Sequence, residues 1–246
     1  MKYFDSFAID FDRCREELAG LKNLLDEFEA GALKEREHVL SFFRENRHVA
    51  ALVGHNAPDI ANVDRIAHEF DFFGDYAADL ALGDSRKHEY CFVEFENAAP
   101  GSIFRKVAGK SSLEWSSRFE HGYSQIIDWF WKLHDMARSD TGRARFDYAN
   151  TFNYYGLLVI GRSKGLAPIE KERLNWRRKK VLVDSKHVFC MTFDELYDDL
   201  IFRLDQYAPP VGAAERARGA SLKPLKRPIR VRIERWKSRR SGFGKP

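Results

Sequence analysis

Three acidic residues lie on two neighbouring segments whose other residues are typical of buried strands. Asp79 belongs to the first segment, whereas Glu94 and Glu96 belong to the second. Side chains two residues apart on a strand share a face, so Glu94 and Glu96 should point in the same direction. If the two segments pair as a hairpin, Asp79 approaches Glu94, and the converging carboxylates need a compensating cation.

A divalent metal ion would supply that positive charge. Mg²⁺ (or Mn²⁺) prefers oxygen ligands and usually takes one or two protein carboxylates together with water and substrate phosphates. Such an ion polarises a phosphoryl oxygen and lowers the pKa of an attacking water. One interpretation of the spacing is therefore a metal site with Asp79, Glu94 and Glu96 as candidate ligands.

The same pattern has a simpler interpretation. In the stretch "YCFVEFEN", the apolar residues Cys91, Val93 and Phe95 alternate with the two glutamates. This alternation is typical of a strand with one buried and one solvated face, which would place Glu94 and Glu96 in water. The spacing by itself leaves both interpretations open.

The elements that position these residues follow from hydrophobic periodicity and from turn residues. Helices are predicted over 10–30, 33–46, 113–137, 166–180 and 193–206. Strands are predicted over 66–72, 76–82, 89–96, 154–160 and 187–192, and turn residues between the second and third strands favour a hairpin. This order predicts an α/β (α+β) fold in which a mixed β-sheet is flanked by helices.

Two of the predicted helices carry further signals. The last helix should begin at a capping box formed by Thr192 and Glu195. The helix over 113–137 has an apolar stripe that we expect in the core. Its members are Trp115, Phe119, Tyr123, Ile126, Ile127, Phe130, Trp131, Leu133 and Met136.

Charge is distributed unevenly along the chain. Residues 215–246 contain 12 Lys or Arg and 2 Asp or Glu, although the net charge of all 246 residues is only +4. A basic tail of this kind suggests a polyanion partner such as nucleic acid or an anionic membrane, although a solvated tail without a partner would have the same composition. The tail residues that we expect to contact phosphates are Arg227, Arg230, Arg232, Arg235 and Lys237.

Cysteine usage and hydropathy exclude several classes of protein. Cys14, Cys91 and Cys190 are scattered and odd in number, which argues against a zinc site and against a disulfide framework. The first residues have no apolar run of the signal-peptide type, and no segment is long and apolar enough to span a membrane. These features predict a cytoplasmic protein without a membrane partner.

The acidic segments belong to an ordered set of stretches that resembles a nuclease family. The stretches are "EREHVLSFFRENRHV", "HEFDFFGDYAADLALGD", "HEYCFVEFENAAPGSIF" and "RFEHGYSQIIDWFWKL". An Asp on one strand, Glu-x-Lys on the next and a glutamine on the following helix form the layout of PD-(D/E)XK nucleases. Over residues 35–135, the chain resembles the Shedu branch of this superfamily, although it has Glu96 where the family commonly has lysine.

The resemblance implies roles for individual residues. It implies that Asp79 and Glu94 are the principal metal ligands, and that Glu96 is a further ligand or accepts a proton from the attacking water. It also implies that Gln125 orients that water or a phosphate.

An acidic residue from the first helix of the core completes the site that the resemblance implies. We assign this role to Glu37, with Glu35 as the competing choice. Because glutamate at position 96 cannot supply the positive charge of the usual lysine, Lys106 or Lys110 on the following loop is a candidate for that charge.

At the level of the whole protein, the resemblance implies a Mg²⁺-dependent endonuclease that acts on double-stranded DNA in bacterial anti-phage defence, and a homo-oligomer. The departure at Glu96 motivates an alternative, namely a nuclease-fold protein that binds nucleic acid or a protein partner with little or no cleavage. The implied organisation is an N-terminal helical segment over 1–32, a PD-(D/E)XK restriction-endonuclease-like core over 33–208 and a basic tail over 209–246.

Overall fold

The computed structural model describes residues 3–28 and 33–208. The chain divides into two units, Met1–Ala208 and Pro209–Pro246, and only the first contains described residues. The predicted basic tail and its five phosphate-contacting residues, Arg227, Arg230, Arg232, Arg235 and Lys237, therefore lie outside the described residues.

Nine strands lie within the described part of the chain. They are β1 (Asp5–Ser6), β2 (Arg65–Phe72), β3 (Tyr76–Asp84), β4 (Glu89–Phe95), β5 (Phe104–Arg105), β6 (Glu114–Trp115), β7 (Asn153–Val159), β8 (Leu182–Val183) and β9 (Lys186–Met191). Seven of them form one mixed sheet in the order β1-β2-β3-β4-β7-β9-β8, and β5 pairs with β6. Strands β1 to β4 are mutually antiparallel, whereas β4, β7 and β9 run parallel.

The α-helices of the described residues cover both faces of this sheet. They are α1 (Phe11–Glu27), α2 (Leu40–Glu45), α3 (Arg47–Leu52), α4 (Ser117–Met136), α5 (Asp140–Arg143), α6 (Pro168–Lys180) and α7 (Phe193–Tyr207). A π-helical turn at Glu35–Val39 leads directly into α2.

Two hydrophobic clusters lie on opposite faces of the sheet. The first contains the apolar sides of α1, α3 and α7, and the second contains those of α4 and α6. Strand β4 contributes to both because its side chains alternate, with Cys91 and Val93 in the first cluster and Tyr90 and Phe92 in the second. Since α1 shares a cluster with α7, the N-terminal helix packs within the same compact unit as the sheet.

The predicted fold class is confirmed, since a mixed sheet is flanked by helices. The predicted hairpin is β3–β4, with Asp84 paired to Glu89 at its end. Thr192 and Glu195 form the predicted capping box of α7. The prediction that all apolar residues of α4 are buried is wrong for two of them, because Trp131 is 63% and Ile127 is 36% exposed.

The structure also bears on membrane insertion. Among the helices of residues 3–28 and 33–208, none combines the length and the apolar character that crossing a membrane requires.

Candidate active site

Strands β3 and β4 bring two of the predicted acids into the same region. Leu80 and Val93 form the last pair of the hairpin register, so Asp79 directly precedes and Glu94 directly follows a residue of that pair. An oxygen of the Asp79 carboxylate accepts a hydrogen bond of 2.8 Å from the backbone N–H of Phe95. The hairpin therefore holds the Asp79 carboxylate against the β4 backbone next to Glu94.

The regular alternation of β3 breaks at Asp79. Ala78 and Ala81 belong to the cluster on one face of the sheet, while Leu80 belongs to the cluster on the other. In a regular strand Ala78 would share a face with Leu80. On β2, the register of pairs with β3 skips Glu69, which lies between His68 and Phe70 and has a positive φ of 52°. Local irregularities of this kind often redirect a side chain beside an active site.

Both glutamates of β4 are buried rather than solvated. Glu94 is 7% and Glu96 is 2% exposed, so the interpretation that places them on a solvent face is wrong. Helix α4 covers them, and Gly122 permits its close approach. A Cβ atom at position 122 would lie 2.8 Å from Leu158 Cδ1 and 3.3 Å from Glu96 Cγ.

Helix α4 also places the predicted glutamine at the acids. Gln125 lines the same cavity as Glu94 and acts to lower the pKa of Glu94. The amide oxygen of Gln125 is buried and has no hydrogen-bond partner. A buried acceptor of this kind is costly to leave unpaired, and a water held in the site would satisfy it.

The acid that the first core helix brings to the site is Glu35. Glu37 is exposed and pairs with Lys34 at 2.9 Å. The backbone N–H of Glu35 instead donates a 2.8 Å hydrogen bond to the side chain of Asn97, directly after β4. The π-helical turn begins at Glu35, so the structure favours the competing choice of the sequence analysis over Glu37.

Arg118 is the cation that contacts these acids. Its Nη1 lies 2.6 Å from Glu96 Oε2 and 3.4 Å from Glu35 Oε2. The loop lysines do not occupy this place, because Lys110 pairs with Glu114 and Lys106 is exposed outside the cleft. The Arg118 side chain remains 43% exposed, so part of its guanidinium faces solvent.

The cleft that these residues line is polar. A cavity of about 580 Å³ is lined by Glu35, Arg36, Glu94, Glu96, Ser117, Arg118, His121 and Gln125. A neighbouring cavity of about 380 Å³ shares Glu35 and Arg36 with it and is lined by Asp79, Arg44, Glu69 and Leu40. Glu35 and Arg36 therefore separate the Glu94 side of the site from the Asp79 side.

Burial and mutual repulsion dominate the electrostatics of the acids. Burial raises the pKa of Asp79 and of Glu94, and the neighbouring carboxylates raise both further, although the Phe95 N–H and the charge of Arg44 oppose the change at Asp79. Burial also raises the pKa of Glu96, but the hydrogen bond and the charge of Arg118 oppose that change. Among the described residues, neither Asp79 nor Glu94 is in an ion pair, so their ionised forms have excess negative charge.

This charge imbalance fits a divalent cation held by few protein ligands. Among residues 3–28 and 33–208, no group of three or more His, Cys, Asp or Glu side chains is arranged to hold a metal ion. Mg²⁺, however, commonly uses one or two carboxylates and completes its shell with water and phosphate oxygens. Asp79 and Glu94, with the unpaired oxygen of Gln125 nearby, suit such a site.

Arg118 and His121 line the cleft but were not predicted from the sequence. Both lie on α4 with Gln125, at positions 118, 121 and 125, a spacing that places three side chains on one face of a helix. That spacing was visible in the sequence. It would have indicated that a basic residue accompanies the glutamine.

Comparison with known proteins assigns the chain to a family. The sequence profile described as Shedu protein SduA, C-terminal, matches residues 33–197, about two thirds of the chain. A search of curated proteins finds no match. The profile spans β2, β3, β4 and α4, which carry Asp79, Glu94, Glu96 and Gln125. The chain therefore belongs to the Shedu family, to which the C-terminal part of SduA also belongs.

Proposed function

We propose that this protein is a metal-dependent DNA endonuclease of anti-phage defence. Membership in the Shedu family supports a role in defence. One observation carries the proposed activity: the carboxylates of Glu94, which is buried, and of Asp79, which is partly buried, lie on the two strands of a hairpin without an ion-pair partner among the described residues. Buried charges without a protein partner are costly and are typical of sites that bind metals.

In the proposed reaction, Asp79 and Glu94 hold the ion, which is Mg²⁺ or Mn²⁺. When bound, such an ion polarises a phosphoryl oxygen and lowers the pKa of an attacking water. Gln125 would orient the water, because it lines the same cavity as Glu94 and its buried amide oxygen has no hydrogen-bond partner. Glu35 lines the same cleft and adds negative charge that favours a cation.

Glu96 has a different role in this proposal from the ligand or base that the resemblance implied. Its carboxylate is engaged by Arg118 at 2.6 Å, so Glu96 fixes the guanidinium at the edge of the cleft. An arginine has five N–H donors, and those not used by Glu96 and Glu35 can bind a phosphate. Arg118 would thereby supply positive charge that the glutamate at position 96 cannot.

The test is Mg²⁺- or Mn²⁺-dependent nicking of supercoiled plasmid DNA by the purified protein. We expect nicking by the wild type and at least a hundredfold loss in Asp79→Asn combined with Glu94→Gln, since single electrostatic groups contribute about 10²–10³ to such reactions. Asp135→Asn, which changes an exposed acid on α4, serves as the control. Wild-type nicking that persists in the double variant would contradict the assignment.

Further measurements test the choice between Glu35 and Glu37, the role of the basic tail and the oligomeric state. Glu35→Gln should slow nicking more than Glu37→Gln, because only Glu35 lines the cleft. Removal of residues 209–246 should weaken DNA binding and its salt dependence if the basic tail contacts phosphates. Sedimentation of the full chain tests the proposed homo-oligomer.

A second candidate function is binding of nucleic acid without cleavage. The ion pair between Glu96 and Arg118 favours it, because that pair removes one carboxylate from the set available to a metal. Salt-sensitive DNA binding by the wild type, without nicking in Mg²⁺ or Mn²⁺ and without metal binding by calorimetry, would support this function over the first.

A further inference from the structure

A second cavity with a different chemistry lies between β6 and α6. It has a volume of about 350 Å³ and is lined by Trp115, Arg173, Trp176, Arg177 and Val181. Two tryptophans and two arginines thus line one concave surface, hereafter the tryptophan pocket. None of these residues lines the acidic cleft.

The two arginines of the tryptophan pocket are held in fixed orientations. Arg177 forms a bidentate pair with Glu120, with distances of 2.6 and 2.8 Å. Arg173 donates to the carbonyl oxygen of Leu113 at 2.6 Å. Their guanidinium carbons lie 4.9 and 5.4 Å from the centroid of the Trp115 ring. This wall of the pocket is therefore a preorganised, flat and cationic surface.

The pocket is also lined by Trp176, which lies on α6 with Arg173 and Arg177 and is 62% exposed. Exposure of one tryptophan is ordinary by itself. The surroundings of Trp176 are unusual, because helix α6 (Pro168–Lys180) contains six basic and two acidic residues and ends in four consecutive basic residues, Arg177 to Lys180. Lys179 and Lys180 are exposed and form no ion pair within the described residues.

Such a surface suits a partner that is flat, aromatic and negatively charged. Unpaired nucleobases stack on tryptophan rings and on guanidinium planes, while lysines contact the neighbouring phosphates. An apolar protein partner would not explain the concentration of positive charge. A duplex would not expose the face of a base to Trp176.

We propose that the tryptophan pocket binds an unpaired nucleotide of single-stranded nucleic acid. The base stacks on Trp176 and faces the wall formed by Trp115, Arg173 and Arg177, and Lys179 and Lys180 contact flanking phosphates. DNA and RNA strands share this chemistry. The binding needs neither a metal ion nor hydrolysis, so it stands apart from the proposed nuclease activity.

The experiment measures binding of labelled 12-nucleotide strands to the full chain by fluorescence anisotropy in EDTA. The probes are oligo(dT), an abasic strand with the same phosphates, the corresponding oligo(U) and a 12-base-pair duplex. The abasic strand measures phosphate binding, including that of the basic tail, so the affinity ratio between oligo(dT) and the abasic strand isolates base stacking.

We expect the wild type to bind oligo(dT) at least about fivefold more tightly than the abasic strand. Trp176→Ala should abolish that ratio, whereas Trp176→Phe should retain part of it because phenylalanine can still stack. The matched control is Trp131→Ala, since Trp131 is 63% exposed on α4 and lies outside the pocket. The oligo(U) arm shows whether RNA binds equally well.

Two outcomes would overturn the proposal. One is an unchanged ratio between oligo(dT) and the abasic strand in Trp176→Ala. The other is a wild type that binds both strands equally. A third outcome would also overturn the proposal and would indicate a protein ligand instead. In that outcome, a copolymer of glutamate and tyrosine requires Trp176 for binding, while oligo(dT) does not. Loss of plasmid nicking, in contrast, concerns only the acidic cleft.

Discussion

Two groups of acidic residues lie on or directly after strands of the same sheet, and they differ in whether an arginine pairs with them. Asp194 and Glu195 follow β9 at the start of α7, and each has an arginine partner, Arg162 at 2.8 Å and Arg178 at 2.6 Å. Asp79 and Glu94, on β3 and β4, have no such partner among the described residues. Acidic residues therefore stabilise the fold at the start of α7, where arginines pair with them, whereas Asp79 and Glu94 add negative charge that no ion pair compensates among the described residues.

The pKa values follow this difference. Burial acts to raise the pKa of Asp194 and of Glu195, but Arg162 and Arg178 outweigh it, and both values are lowered. Burial raises the pKa of Asp79 and of Glu94, neighbouring carboxylates add to the effect, and the Phe95 N–H and the charge of Arg44 offset only part of it at Asp79. Partial burial is therefore not what distinguishes a functional acid in this protein. The distinguishing feature is the missing cation.

The largest expected effect is stabilisation by metal. At a Mn²⁺ concentration of 100 times its dissociation constant, the wild type should gain about 2.7 kcal/mol in free energy of unfolding. The double variant with Asp79→Asn and Glu94→Gln should gain almost no stability from Mn²⁺, whereas the Glu195→Gln variant should gain as much as the wild type. Urea unfolding at pH 8 with and without Mn²⁺ measures this. An equal gain in all three proteins would remove the distinction between the two regions.

The next largest effect on stability is expected at Glu195, which is paired with Arg178. Glu195→Ala removes the capping box of α7 and leaves Arg178 without its carboxylate partner, so we expect a loss of about 2 kcal/mol in stability. Glu94→Gln in EDTA should instead leave stability unchanged or raise it, because it removes a buried charge. Urea denaturation of both variants measures the two changes in stability. A larger loss of stability in Glu94→Gln than in Glu195→Ala would contradict this prediction.

The pH dependence of metal-free stability should differ between the regions. A carboxyl whose pKa is raised in the folded state binds its proton more tightly there, so its contribution to stability is present at low pH and is lost as pH rises above the ordinary carboxyl range. Each such group contributes about 1.4 kcal/mol per pH unit while it titrates differently in the two states.

Between pH 5 and 8 in EDTA, the wild type should therefore lose more stability than Asp79→Asn combined with Glu94→Gln. Asp194, whose pKa is lowered, has the opposite sign, and its contribution disappears as pH falls through the acidic range. Unfolding curves at several pH values check this prediction. Parallel curves for the wild type and the double variant would contradict it.

The smallest effect is expected at Glu96. This residue combines features of the two regions, because it lies buried in the cleft with Glu94 but is paired with an arginine, Arg118. If its carboxylate anchors Arg118, Glu96→Gln should change Mn²⁺ affinity by less than about twofold, whereas Glu94→Gln should weaken it by about tenfold or more. Isothermal calorimetry measures both. Equal losses would show that Glu96 is a ligand after all.

Much of the architecture could be predicted from local patterns. Alternating apolar residues predicted β4, turn residues predicted the β3–β4 hairpin, and Thr192 with Glu195 predicted the start of α7. These signals work because they act between residues that are close in sequence. Trp131 was misplaced because the stripe of α4 is wider than the face that its neighbours cover.

The site itself could be predicted only in part. The residue types of Asp79, Glu94 and Gln125 drew attention to them, and family resemblance supplied their roles. The choice between Glu35 and Glu37 required the hydrogen bond from the Glu35 backbone to Asn97, across 62 positions of the chain. The pairing of Arg118 with Glu96 likewise depends on how closely α4 approaches β4 at Gly122.

The sequence by itself thus determined which segments form helices and strands, because periodicity, caps and turns are local properties of the chain. It also determined that acids occur on two adjacent strands. Only the tertiary structure decided which acids receive an arginine and which do not, because ion pairing depends on distances between side chains from separate elements. That decision separates the acids that hold α7 in place from the acids that we propose to hold a metal.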